Sequence, residues 1–199
     1  MFATRSSLSD FVGRSPGVTE LAKALHLKET EKEAETFVFL SHSHKDKKLA
    51  EWARDFFARF GKDVYVDWWD PDMPSSPNSE TADRLRKKIK NEKSKFVLLA
   101  TESSIDSEWV SWELGFADGV KKASAIATFP IAEQEWHWSG NEYMLLYPHI
   151  TLMSGEWHVA FPDGMQLALG DWLSLDEKGL TDRKLGQAMR VLLSAMNRR

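Results

Sequence analysis

The chain has 199 residues, with 26 lysines and arginines against 30 aspartates and glutamates and a formal charge of -4. That balance argues against bulk electrostatic attraction to nucleic acid or an anionic membrane, and no apolar run approaches the ~20 residues needed to span a bilayer. The absence of cysteine excludes disulfides, thiolate zinc sites and cysteine nucleophiles.

The N-terminal stretch MFATRSSLSDFVGRS lacks a long apolar segment after its charge and is a poor signal peptide, so a cytoplasmic protein is the expectation. Residues 1–35 read as an N-terminal helical extension. Val18, Leu21, Ala22 and Leu25 predict one helix after Pro16-Gly17, and a charged link follows. Phe37–Leu40 is an unbroken apolar run, the mark of a strand buried on both faces. Ser41-His42-Ser43-His44-Lys45-Asp46 comes next, and Ser43 and Asp46 have the spacing of a capping box. The helix it opens carries Leu49, Trp52, Phe56 and Phe60 and stops at Gly61.

Val64–Asp67 predicts a second strand, followed by a loop stiffened by Pro71, Pro74 and Pro77. A helix over Glu80–Asn91 buries Ala82, Leu85 and Ile89 and turns a basic set to water. Phe96–Ala100 and Ala123–Phe129 predict the third and fourth strands, and Tyr143–Met153 includes a fifth, interrupted around Pro148. Glu156–Phe161, the Pro162-Asp163-Gly164 turn and Met165–Leu175 predict a hairpin or a strand–turn–helix. Thr181–Met196 predicts a closing helix.

Alternating strands and helices call for an α/β architecture, a parallel sheet covered on both faces. In a five-stranded order 2-1-3-4-5, ligands bind at the switch point between strands 1 and 3. The loops beyond those two strand ends are Ser41–Asp46 and Thr101–Ser107. The second opens a helix capped by Asp106 or Ser107 and stopped by Gly119. On that helix Trp109 and Glu113 lie four apart and share a face, with Trp112 and Phe116 continuing an apolar stripe to Val120. A carboxylate at the edge of such a patch can meet a developing positive charge while a flat ring packs against a sugar or base. Taken alone, the same pattern describes a rim glutamate paired with a lysine beside a core tryptophan, which is the simpler account.

No G-x-G-x-x-G, Walker loop or G-x-S-x-G elbow is present, which disfavours dinucleotide dehydrogenases, P-loop nucleotidases and α/β-hydrolases. His42 and His44 lie two apart, but no third ligand has metal-site spacing.

At FVFLSHSHKD, VYVDWWD and SEWVSWEL the chain resembles the Toll/interleukin-1 receptor (TIR) domain family, specifically its bacterial NAD-processing members such as the stand-alone TIR proteins of Thoeris antiphage systems. The likeness covers residues 36–150, leaving 151–199 as a C-terminal extension expected to pack on that domain. It implies a flavodoxin-like fold. It also implies cleavage of the nicotinamide–ribose bond of NAD, releasing nicotinamide and ADP-ribose or a cyclic ADP-ribose-type signal. By the resemblance Glu113 is the catalytic carboxylate and Trp109 lines the pocket for the nicotinamide-side ribose. Ser41, His42, Ser43 and His44 form the loop over the nucleotide, Asp67 and Trp69 stand on its other side, and Ser104 is a further candidate. NAD is then substrate, and no cofactor or metal is implied. Self-association through TIR–TIR contacts and a downstream effector sensing the product are the implied partners. The Arg-Asp-x-x-Pro-Gly loop of animal receptors is replaced by WDPDMPSSPNS, which argues against receptor-adaptor signalling. Two alternatives stand beside this reading: a non-catalytic TIR scaffold, and a nucleoside-processing transferase of similar fold.

Overall fold

The computed structural model describes residues 2–13, 36–74, 76, 78–132, 138, 142–176, 178–183 and 186. The helix expected over Val18–Leu27 lies outside these residues, as does most of the closing helix expected over Thr181–Met196.

Strands β1 (Ala3–Thr4), β2 (Phe37–Ser41), β3 (Asp63–Tyr65), β4 (Ser94–Ala100), β5 (Ile126–Ala132), β6 (His149–Met153), β7 (Glu156–Ala160) and β8 (Gln166–Ala168) form one sheet. Its order is β3-β2-β4-β5-β6-β7-β8, with β1 pairing β5. The strands run parallel from β3 through β6, and β7 and β8 add antiparallel to that edge. The five strands expected from the sequence therefore stand in the expected order 2-1-3-4-5. The stretch after β6 contributes both of its anticipated forms, a hairpin and then a helix.

Among the described residues, the helices that accompany the sheet include α1 (Arg5–Gly13), α2 (Lys47–Ala58), α3 (Ser79–Lys90), α4 (Glu102–Ile105), α5 (Glu108–Val120) and α6 (Leu169–Ser174). Side chains alternate across each central strand, which divides the core in two. Val38, Leu40, Val97, Leu99 and Phe129 pack against Leu49, Ala53, Phe56 and Phe57 of α2. Phe39, Phe96, Leu98 and Ile126 pack on the opposite side against Leu85 and Ile89 of α3 and Val110 and Leu114 of α5. β2 thus sends its odd-numbered residues toward α3 and α5, and Ser41 is the last of that series.

Several boundaries differ from the expected ones. β3 ends at Tyr65, and Asp67 opens a single 3-10 turn (Asp67–Trp69) instead of closing the strand. Its own carboxylate accepts from the Trp68 N–H at 2.9 Å, which favours a turn over extension. In α3 the buried turn is made by Thr81, Leu85 and Ile89, and Ala82 is only half-buried. Thr81 and Asn78 form a reciprocal cap that rotates the helix to this face. The basic set of α3 is partly docked: Arg86 lies over the Trp112 ring at 5.2 Å and Lys88 over Tyr65 at 4.7 Å. Gly119 does not stop α5, which runs to Val120. Lys121 ends it by sending its ammonium to the carbonyls of Asn91 and Ser94, at 2.9 and 2.7 Å.

Candidate active site

A cavity of about 400 Å³ opens beyond the C-terminal ends of β2 and β3. Phe39 and Leu40 of β2 form part of its wall, followed by His42 and His44 from the next loop. Asp67, Trp68, Asp70, Met73 and Pro74 close one side, Thr81 and Leu85 of α3 another, and Ser107, Trp109 and Glu113 a third. The topological switch between β2 and β4 lies here, as sheet order requires.

Glu113 sits on the second turn of α5, 7% exposed. The hydroxyl of Ser107 caps the helix by accepting from the Val110 N–H at 3.4 Å, which fixes its first turn. Ser41, at the end of β2, donates its hydroxyl to Oε2 of Glu113 at 2.5 Å. Burial pushes the Glu113 carboxyl up to about 8; the Ser41 hydrogen bond opposes that rise and the Asp67 charge reinforces it. Among the described residues lining the cavity there is no lysine or arginine, while Asp67, Asp70 and Glu113 all face it. The cavity is therefore built for a cationic or donor-rich group.

The folded carboxyl holds its proton more tightly than the unfolded one. Its contribution to stability is complete below about pH 4.5 and is lost as pH rises through about 8, at no more than about 1.4 kcal/mol per pH unit. Glu113→Gln, neutral throughout, should match the parent near pH 4.5 and melt above it at pH 8. Thermal melts across that range check this, and a difference independent of pH would refute it.

His42 is held by its Nδ1, which donates to the Leu40 carbonyl at 3.0 Å, and its ring meets Trp68 edge-on at 4.3 Å between centroids. Its Nε2 lies 3.8 Å from Asp67 Oδ1 and is buried without a hydrogen-bond partner among the described residues. Burial holds its pKa below the ordinary histidine value. Asp46 does not complete a capping box with Ser43. It turns instead to Thr101, whose hydroxyl donates to it at 2.5 Å, and so ties together the loops after β2 and β4. No group of three His, Cys, Asp or Glu side chains among the described residues could hold a metal ion.

The expected site residues divide into two sets. Glu113, His42, His44, Asp67 and Trp109 line the cavity, and Ser41 touches it through Glu113. Ser43, Trp69 and Ser104 are not among its lining residues. Ser43 caps the 3-10 turn His44–Asp46. Trp69 stacks under Arg54, whose guanidinium lies 4.6 Å from its ring, and Trp68 takes the wall position. Ser104 is fully buried in a reciprocal cap with Thr101. Sequence reasoning missed Trp68, Asp70, Met73, Thr81 and Ser107 as wall residues. A 3-10 turn has no repeat long enough to say which of two adjacent tryptophans faces inward. Ser107 was legible as the cap that ends the loop after β4.

The chain is 34% identical over 116 residues to a Bacillus cereus (strain MSX-D12) protein named "Probable 3' cyclic ADP-D-ribose synthase ThsB'". The matched part is 57% of this chain and 60% of that protein's length. No described helix is long and apolar enough to cross a membrane. Residues 38–143 match the TIR domain family, a span that takes in β2, the turn after β3 and the whole of α5. With more than half its length in that match and every wall of the cavity drawn from it, the chain belongs to the TIR domain family.

Proposed function

We propose that the protein cleaves the bond between nicotinamide and ribose in NAD, with Glu113 as the catalytic carboxylate. The observation that carries this reading is the placement of Glu113: buried against an acid-lined cavity, one oxygen held by Ser41, with the Trp109 indole on the same wall. The similarity to a protein named as a cyclic ADP-ribose synthase supports it.

The chemistry follows from charge. Nicotinamide bound to ribose is a cationic pyridinium. As the bond breaks, its electron pair stays with the ring nitrogen, and the ring leaves neutral without needing an acid. The ribose carbon left behind resembles an oxocarbenium ion, as in glycoside hydrolysis. An anionic Glu113 stabilises that charge more than it stabilises the substrate, which is the requirement for catalysis. Free Glu113 is largely protonated near neutrality, and a bound pyridinium favours its ionised form, so substrate binding expels the proton that would disable it. Trp68 and Trp109 supply flat faces for the nicotinamide end. Attack by water then gives ADP-ribose, and attack by a group of the same molecule gives a cyclic product. A nucleotide signal made this way suits antiphage defence with a product-sensing effector, and assembly through TIR–TIR contacts would order the site.

The test is incubation with NAD followed by mass spectrometry. Nicotinamide is expected together with ADP-ribose or a cyclic isomer. A protein that assembles with another TIR domain yet never consumes NAD, even when assembled, would instead be a scaffold.

A further inference from the structure

The parity of β2 turns Ser41, the last residue of the strand, toward α3 and α5. Phe37 and Phe39 alternate on the face turned to α3 and α5, and Ser41 continues that series with a hydroxyl where a third apolar side chain would otherwise pack. It is 1% exposed, and its hydroxyl makes one hydrogen bond among the described residues, to Glu113 Oε2. Glu113 Oε1 accepts no hydrogen bond among these residues, although the residue lines the cavity.

We propose that Ser41 is a positioning residue that holds one oxygen of Glu113 and keeps the carboxylate ionisable, leaving the other oxygen for the ligand. The inference rests on the reading of Glu113 as the catalytic carboxylate. The groups around Glu113 make such a donor necessary. Asp67 and Asp70 share its cavity from the turn and loop after β3, and Tyr65 of β3, which donates to Asp70 at 2.8 Å, is near enough to feel its charge. His42, whose pKa burial lowers, and His44 stand on the loop after β2. Among the described residues no cation lines the cavity, and the Ser41 hydroxyl is the contact that offsets burial and the Asp67 charge.

Two readouts test this, one of them independent of turnover. Carbon-13 NMR titration of the Glu113 carboxyl in the folded protein, parent against Ser41→Ala, should show the midpoint rising by about one pH unit, a tenfold tighter hold on the proton. The pH profile of kcat/KM for nicotinamide release should move by the same amount. The activity deficit would then be about tenfold at pH 7 and nearly gone well above the new midpoint. Ser41→Thr, which keeps the hydroxyl, should restore the parent midpoint. An unchanged titration midpoint, or a loss of activity equal at every pH, would overturn the assignment. If the parent releases no nicotinamide at all, the proposed reaction fails, while the NMR titration still decides whether Ser41 governs the ionisation of Glu113.

Discussion

Glu113→Gln should lower nicotinamide release from NAD about a thousandfold or more, equivalent to about 4 kcal/mol of lost transition-state stabilisation, while leaving circular dichroism unchanged. The amide keeps the shape and can still accept from Ser41, but it cannot carry the negative charge that faces the oxocarbenium-like ribose. Glu113→Ala should do the same and also vacate the space beside Ser41. The parent protein should show the ionisation directly. Because the free carboxyl titrates at about 8, kcat/KM should rise tenfold per pH unit below that value and level off above it. The plateau in kcat should begin at lower pH, since the bound pyridinium favours the anion. A folded Glu113→Ala protein with full activity would remove the catalytic carboxylate from consideration.

The largest effect on stability is expected at Phe56. Its ring is fully buried and lies within 5.3 Å, centroid to centroid, of five others: Phe11, Phe57, Phe60, Phe129 and Trp157. These rings come from α1, α2 and the turn after it, β5 and β7, so one side chain joins the N-terminal helix, the central sheet and its antiparallel edge. Phe56→Ala should cost about 3–5 kcal/mol, the range for an aromatic removed from a core that cannot collapse around the gap. In a chain of this length that lowers the melting temperature by about 10 °C. Phe116, half-buried and stacked on Trp112 at 6.0 Å, is the contrasting position and should cost about 1 kcal/mol. Urea denaturation of both variants gives the comparison. Equal losses at the two positions would contradict the proposed division between core and rim.

Hydrophobic patterning made the frame legible. FVFL and FVLLA carry too many apolar residues for a half-exposed strand, so a doubly covered sheet followed, and with it the location of the crevice. Glu113 and Trp109 were legible because a four-residue spacing places them on one helix face wherever the helix packs. The partner of Glu113 was not. Ser41 is 72 residues away, and only the register of β2 against α5 brings the two together. The turn at Asp67–Trp69 was hidden for a different reason. VYVD has the composition of a strand to its end, and a local side-chain hydrogen bond outweighs that preference. Gly119 misled because glycine commonly ends helices through a left-handed backbone. Here the ending is set by Lys121, which anchors across to Asn91 after α3 and to Ser94 at the start of β4.

The short segment from β8 through α6 has a practical bearing on how the protein can be cut. Trp172 is completely enclosed, its indole N–H donates to the Ser124 carbonyl at 2.8 Å, and the Lys95 ammonium lies 5.3 Å from its ring. A fragment trimmed to the family-matched span, which ends before β6, would strip that lid from the base of β4 and β5, wetting a sealed floor and baring the backbone of β5 as a sticky margin. Expression boundaries for crystallisation or assay therefore belong beyond residue 174, well past residue 143, where the family match ends.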